Sequence, residues 1–184
     1  AMEDIKNSNL NSKVLLLTSS NYSLFMSQCP YLDGIIIDKR LPRWNLNYLL
    51  KLKRLLKRYN FSKVYDLQNS SRTNFYRKFL LRGPTWSSSE TSLEPGQKKS
   101  DFDKDPVLDR MEVQLKKSGI KIKNIKNINL SWALTDIQNI TNHYFEKKYI
   151  LVFPFCSAKN QQKVWPYFRE LIDKLKTHYK NYDI

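Results

Sequence analysis

The chain has 184 residues, of which 41% are hydrophobic and 13% aromatic, so it can bury a core and lacks the composition of a disordered protein. Its formal net charge of +15 favours partners that carry negative charge. No apolar run reaches the roughly 18 residues of a membrane span, and the polar start does not resemble a signal peptide. Two distant cysteines, Cys29 and Cys156, and only two histidines argue against a disulfide and against a zinc site.

Three strand–helix pairs are predicted in the first eighty residues. The strands are predicted at residues 14–17, 35–37 and 64–67, and the helices at residues 22–28, 46–58 and 72–81. The middle helix is amphipathic, with leucines at helical spacing and basic residues at most other positions. The strands are continuous apolar runs, which is typical of strands covered on both faces. The fold class is therefore predicted to be α/β with a parallel sheet.

The second half is predicted to begin with a long loop and to end in a second, smaller unit. Residues 83–106 are rich in polar residues and glycine, which predicts a loop with little fixed structure. A helix is predicted at 107–118 with Gly119 as its stop, followed by one or two short strands within 120–130. Further elements are predicted as a helix at 134–146, a strand at 149–153, a helix at 163–179 and a strand beginning at 183.

Four segments, in this order and spacing, resemble a known enzyme family. They run from Val14 to Asp38, from Tyr65 to Thr73, from Leu108 to Ile120, and from Ile150 to Pro166. The second reads Tyr-Asp-Leu-Gln-Asn-Ser-Ser-Arg-Thr and is similar to an Asp-Leu-Gln-Gly-x-x-Arg-Ser pattern. The fourth is similar to a His-Pro-Gly-Ser…Lys-x-Trp-Pro pattern and is the most distinctive. Together they resemble glycosyltransferase family 9, the lipopolysaccharide heptosyltransferases.

The resemblance implies a GT-B architecture of two Rossmann-like domains. The chain would hold the N-terminal, acceptor-side domain in residues 1–133, a linker in 134–148 and the first βα unit of the donor-binding domain in 149–184. The implied reaction transfers heptose from an ADP-heptose donor to the lipopolysaccharide inner core, with inversion and with no metal or other cofactor. The implied partners are that nucleotide-sugar and an acidic, lipid-linked saccharide, and the implied location is cytoplasmic, including the surface of the inner membrane.

Lys163 and Ser157 are the predicted donor-phosphate ligands. Their loop is predicted to run from a strand end to a helix start at which Pro166 occupies the first turn, and helix starts attract phosphate. The resemblance implies that Lys163 holds the donor diphosphate. The alternative is a solvated lysine beside a core tryptophan. Phe155 stands where the family has a glycine, so the loop is expected to follow a different path.

The predicted acceptor-binding residues follow the third strand. Arg72 matches a basic position that faces the acidic acceptor in the family, and Gln68 lies in the same turn. Arg77 and Arg82 extend a basic stripe with interleaved aromatic residues, which suits a lipid phosphate or a membrane surface. The alternative for each is an exposed surface arginine.

No residue is predicted as the catalytic base, because the Gly-Asp pair that carries it in the family has no counterpart. The start of the chain, from Met2 to Ser12, is expected to join the beginning of a first strand to the end of a first helix. Both ends of the family domain are expected to be incomplete, and the chain alone is expected to be inactive. The open alternatives are a non-catalytic basic module for an acidic glycolipid or nucleic acid, and a homodimer. Nucleic acid is disfavoured because no nucleic-acid-binding motif is visible.

Overall fold

Alternating helices and short strands build the first of two units. The computed structural model describes residues 1–184, with Ala1–Leu134 in the first unit and Thr135–Ile184 in the second. The elements of the first unit are α1 Met2–Asn7, β1 Leu15–Thr18, α2 Ser20–Ser27, β2 Gly34–Ile37, α3 Leu46–Lys57, β3 Lys63–Tyr65, α4 Ser71–Phe75, β4 Thr85–Ser87, α5 Lys99–Phe102 and α6 Val107–Lys117. A π-helical turn, Tyr76–Leu80, continues α4. No helix combines the length and apolarity that crossing a bilayer requires.

The strands pair in parallel, two by two. Leu15 lies opposite Gly34 in the β1–β2 pair, and Lys63 lies opposite Thr85 in the β3–β4 pair. Glycine suits position 34, because a Cβ atom there would lie 3.1 Å from the Leu15 side chain. The predicted α/β class with parallel strands is confirmed at the level of these small sheets.

The larger core lies between α3 and the π-helical turn. Leu49, Leu52 and Leu56 repeat at helical spacing and are buried, while the basic residues between them face solvent. Asn45 caps the helix by accepting a hydrogen bond from the Tyr48 backbone N–H at 3.0 Å. The buried leucines belong to a cluster with Ile36, Tyr76, Leu80 and Leu81.

A second core cluster joins the start of the chain to α6. Leu115 is fully buried and groups with Ile5, Ile120 and Ile125. Gly119 has a φ of +79° directly after the C-cap Ser118, so the predicted helix stop is confirmed. The buried Asp4 carboxylate accepts hydrogen bonds from the backbone N–H groups of residues 123 and 124, at 3.0 Å each.

Three predictions for the first unit are wrong. Residues Met2–Asn7 form a helix rather than part of a strand, because Asp4 and Ile5 are held against the 120–125 segment. The 83–106 segment contains β4 and α5, since Thr85–Ser87 pairs with β3. Residues 120–130 contain no strand, because they pack through isolated isoleucines instead of pairing with another strand.

The second unit is small and has no buried residue. Its elements are α7 Gln138–Tyr144, β5 Lys148–Tyr149, a 3₁₀ segment Ala158–Lys163, α8 Phe168–His178 and β6 Tyr182–Asp183. β5 pairs in parallel with β6, which confirms a strand near the end of the sequence.

The helix predicted at 134–146 is shorter, because α7 spans Gln138–Tyr144, and two further boundaries in the second unit differ from the prediction. The strand predicted at 149–153 stops at Tyr149, and Phe153 is 83% exposed because no element covers that apolar run. The last helix begins at Phe168, so Pro166 precedes the N-cap Tyr167 instead of occupying the first turn. The proline restricts Trp165 to extended conformations, which delays the start of the helix.

Leu52→Ala should lower the free energy of unfolding by about 2–5 kcal/mol, because it removes a fully packed side chain and leaves a cavity. The matched control is Leu50→Ala on the same helix, where the side chain is 53% exposed and the expected change is within about 0.5 kcal/mol. Urea denaturation of both variants measures the difference. Equal losses would contradict the assigned inward face of α3.

Candidate functional site

A tight turn follows β3 and orients the residues that come after it. The buried Asp66 accepts hydrogen bonds through Oδ1 from the backbone N–H groups of Gln68 (3.1 Å) and Asn69 (2.8 Å). Asn69 has a φ of +50°, a left-handed conformation that asparagine adopts more readily than most residues. Ser70 then caps α4 by accepting from the Thr73 N–H at 3.2 Å.

The side chain of Gln114, in α6, forms hydrogen bonds that connect this turn to the end of β4. Its side chain is fully buried, and its Nε2 donates to the backbone oxygens of Asp66 and Ser87, at 3.0 Å each. Its Oε1 accepts from Asn69 Nδ2 at 2.9 Å, while Asn69 Oδ1 accepts from the Ser89 N–H at 2.7 Å. The carboxyl ends of β3 and β4 are therefore held together by side-chain amides.

A cleft of about 260 Å³ opens at these strand ends. Its first wall is formed by residues 66–77 and its second wall by residues 88–99. Serine hydroxyls contribute to both walls, together with the side chains of Asp66, Asn69, Asn74, Arg77, Glu90 and Lys99. The carboxyl edge of parallel strands is where α/β proteins usually bind ligands.

Three side chains of the cleft form a closed triad, Arg77–Asn74–Glu90. Arg77 donates to Asn74 Oδ1 from Nη2 at 3.0 Å and from Nε at 3.3 Å, and it also forms an ion pair with Glu90. Asn74 Nδ2 in turn donates to Glu90 Oε1 at 2.8 Å. The triad ties the first wall to the second.

Arg72 belongs to a separate, partly buried network that does not line the cleft. Asp38, buried after β2, accepts from the Tyr48 hydroxyl, from the Tyr76 hydroxyl at 2.8 Å and from the Arg40 N–H at 2.7 Å. Arg72 Nη1 donates to the Tyr76 hydroxyl at 2.9 Å. Burial, followed by hydrogen bonding to Asp38, raises the pKa of Tyr48. Burial is also the main cause that raises the pKa of Tyr76.

The four predicted acceptor residues do not form one cluster. Arg77 lines the cleft. Arg72 Nη2 donates to the Leu41 backbone oxygen at 3.0 Å, and Gln68 Oε1 accepts from Arg40 at 2.9 Å. Arg72 and Gln68 are therefore both hydrogen-bonded to the segment after β2. Arg82 donates from Nε to the Lys78 backbone oxygen of the preceding π-helical turn, and its guanidinium lies over Phe79, 5.8 Å from the ring centre.

The two predicted donor residues flank one exposed turn of the second unit. Ser157 is the N-cap of the 3₁₀ segment and its hydroxyl accepts from Asn160 Nδ2 at 2.9 Å. Lys163 is the last residue of that segment, is exposed and forms no ion pair. It precedes the first residue of α8 by five positions in sequence.

Comparison with known proteins identifies the family to which this chain belongs. A family model described as glycosyltransferase family 9 (heptosyltransferase) matches residues 49–182. The chain belongs to glycosyltransferase family 9. No curated protein and no solved structure matches this family 9 protein. The matched range includes all six residues predicted to bind donor or acceptor.

Several cleft residues of this family 9 protein escaped the sequence interpretation. Asn69 stands where the family pattern has glycine, and its positive φ explains the exchange, so the motif itself held a usable signal. Asn74 lies one helical turn from the predicted Arg77 and carried no motif. Glu90 and Lys99 fall in the segment predicted to be a loop, which gave no means of placing them against the 66–77 turn.

Tyr48 and Tyr76 should ionise at a higher pH in the folded protein than an ordinary tyrosine does. Because their folded pKa values lie above the ordinary value of 10.0, the stability from their neutral forms is complete below pH 10 and is lost as the pH rises through the folded values. Spectrophotometric titration of tyrosinate should show a delayed fraction that shrinks in Tyr48→Phe and in Tyr76→Phe. Tyr144→Phe, which removes an exposed tyrosine of the second unit, should leave the delayed fraction unchanged. A single uniform transition in the native protein would contradict the network.

Proposed function

We propose that this glycosyltransferase acts on a heptose, or a related sugar, carried by an ADP donor, and transfers it to an acidic inner-core acceptor of lipopolysaccharide. The family match over residues 49–182 is the observation that carries the proposal. It is supported by the polar cleft at the ends of β3 and β4, where Arg77 and hydroxyl groups face a space of sugar-like dimensions.

The proposed architecture is GT-B, with Rossmann-like domains, and the transfer is inverting and independent of metal. The parallel pairing of successive strands through helical connections supports the Rossmann-like assignment. In this scheme, the first unit corresponds to the acceptor-side domain and the second to the start of the donor-side domain.

The donor diphosphate is assigned to Lys163 and Ser157. Lys163 offers a solvent-accessible ammonium with no carboxylate partner, and Ser157 offers a hydroxyl on the same turn. α8 follows Lys163 in sequence, and the free N–H groups at its start supply additional positive potential. Lys163 would then stabilise the negative charge that develops on the leaving ADP.

The acceptor is assigned to the surface formed by residues 68–82. Arg77 contacts it inside the cleft, while Arg72 and Gln68 position the start of the helix through their bonds to the segment after β2. Arg82 lies outside the cleft and is exposed, which suits it to an acidic group of the acceptor.

No side chain of the first unit is assigned as the general base. Asp4 accepts backbone N–H bonds, Asp66 does so as well, and Asp38 accepts from two tyrosine hydroxyls and a backbone N–H. All three carboxylates are buried, so they are engaged in holding the fold rather than free to take a proton from an acceptor hydroxyl. The chain by itself is proposed to be inactive.

The isolated chain should bind ADP without releasing ADP from ADP-heptose. Lys163→Ala should weaken ADP binding roughly tenfold or more, because charge-assisted hydrogen bonds contribute about 1.5–3 kcal/mol. Lys159→Ala, in the same 3₁₀ segment, is the matched control and should change the affinity little. Calorimetry measures binding, and coupled ADP detection measures turnover. Equal affinity in the two variants would contradict the donor assignment, and ADP release above the buffer rate would contradict the proposed inactivity.

A basic and aromatic surface around α3 supports attachment to the cytoplasmic face of the inner membrane. Trp44 is 83% exposed immediately before the helix, and Leu46 and Leu50 are exposed one turn apart on it. Arg54 and Lys57 follow Leu50 at helical spacing, so apolar and cationic groups share one face. Such a face suits anionic lipid headgroups.

The chain should bind vesicles that contain phosphatidylglycerol and should not bind pure phosphatidylcholine vesicles. Binding should weaken at high salt, because each basic residue near the surface contributes about 1 kcal/mol that ions screen. Trp44→Ala should reduce co-sedimentation, whereas Trp165→Ala, which removes a half-exposed tryptophan of the second unit, serves as the control. Equal binding to both vesicle types would rule out the electrostatic attachment.

A further inference from the structure

The cleft between the two walls is electrically balanced, although the chain as a whole has a net charge of +15. Its lining includes two carboxylates, Asp66 and Glu90, and two cations, Arg77 and Lys99. Each cation already has an acidic partner: Arg77 pairs with Glu90, and Lys99 pairs with Asp103. An anion entering the cleft would therefore meet compensated cations together with two negative groups.

The remaining polar groups of the cleft suit a ligand that both donates and accepts hydrogen bonds. The triad Arg77–Asn74–Glu90 presents guanidinium and amide donors beside carboxylate and amide acceptors. The arginine and glutamate side chains are about one quarter and one third exposed, so they remain accessible from the cleft. Serine hydroxyls line the same space, and each hydroxyl can act as donor or acceptor.

The volume limits the size of the ligand. About 260 Å³ lies just below the roughly 300–1,000 Å³ of pockets that enclose drug-sized molecules. The space suits a single sugar ring, and because the cleft is open to solvent, a larger molecule would place only part of itself inside.

We propose that the cleft binds a neutral, polyhydroxylated sugar ring through the triad, and that Glu90 excludes anionic rings by neutralising Arg77. The proposal rests on the proposed function, because it specifies which part of the acceptor enters the first unit. The acidic groups of the acceptor are then left to cations outside the cleft, such as Arg82.

The preference is measured with matched probes in which one terminal hydroxymethyl group is replaced by a carboxylate. Neutral methyl glycosides of a hexose and a heptose are compared with the corresponding methyl uronosides, which carry a carboxylate on the same ring. Titrations followed by nuclear magnetic resonance report the shift of the Asn74 side-chain amide and give both dissociation constants. The native chain should bind the neutral glycoside more tightly than its uronoside.

Two variants and one control test the role of Glu90. Glu90→Gln should shift the ratio of the two dissociation constants roughly tenfold toward the uronoside, because the unpaired guanidinium can then pair with its carboxylate. The double variant Arg77→Gln with Glu90→Gln removes both charges and should keep the neutral preference, which separates charge balance from damage to the fold. Glu94→Gln, in the same segment but outside the cleft, should behave as the native chain.

Three outcomes overturn the proposal: a native preference for the uronoside, an unchanged ratio in Glu90→Gln, or binding of neither probe. These outcomes are independent of ADP binding at Lys163. A chain that binds ADP but lacks the sugar preference contradicts the cleft proposal alone, and a chain with the preference but without ADP binding contradicts the donor assignment alone.

Discussion

The buried amide of Gln114 is the interaction on which the cleft depends. It joins the backbone ends of β3 and β4 and also holds Asn69, so one side chain of α6 sets the spacing of three segments. The β3–β4 pair has only three residues in each strand, and sheet hydrogen bonds alone would hold it weakly. A fully buried polar group is costly unless its hydrogen bonds are made, which fixes the turn in one geometry.

Charge is distributed unevenly over this protein. Exposed lysines and arginines are frequent on α3, whereas Arg77 and Lys99 of the cleft have acidic partners and Arg72 bonds the Tyr76 hydroxyl. The net charge therefore governs attraction of the chain to a negatively charged surface. Selectivity within the cleft depends on the ion pairs and hydrogen bonds of its lining residues. This separation follows from screening, which weakens interactions between distant exposed charges more than those between close, partly buried ones.

The sequence predicted elements well where apolar periodicity was strong. The spacing of the leucines in α3 and the β-branched run of β2 indicate a helix and a strand directly. Both elements form close to the predicted positions. The prediction failed for β4 because a tertiary contact decides: the strand forms against β3. It failed for the start of α8 because of a local effect, the restriction that Pro166 places on the residue before it. Within the candidate site, the basic stripe after the third strand pointed to Arg77, but Glu90 and Lys99 needed the three-dimensional path of the 83–106 segment.

The two walls of the cleft come from separate stretches of sequence and are joined mainly by side chains. Beyond Ser87, the contacts between walls that involve Asn74 and Arg77 are made to Glu90, and the contact of Asn69 is made to a backbone N–H. The same stretch after Ser87 is also bound to α6, because Lys117 donates to the Ser92 backbone oxygen at 2.7 Å and forms an ion pair with Glu94. A segment that replaced residues 88–99 could alter the ligand preference through position 90, but it would also have to preserve the attachment to Lys117.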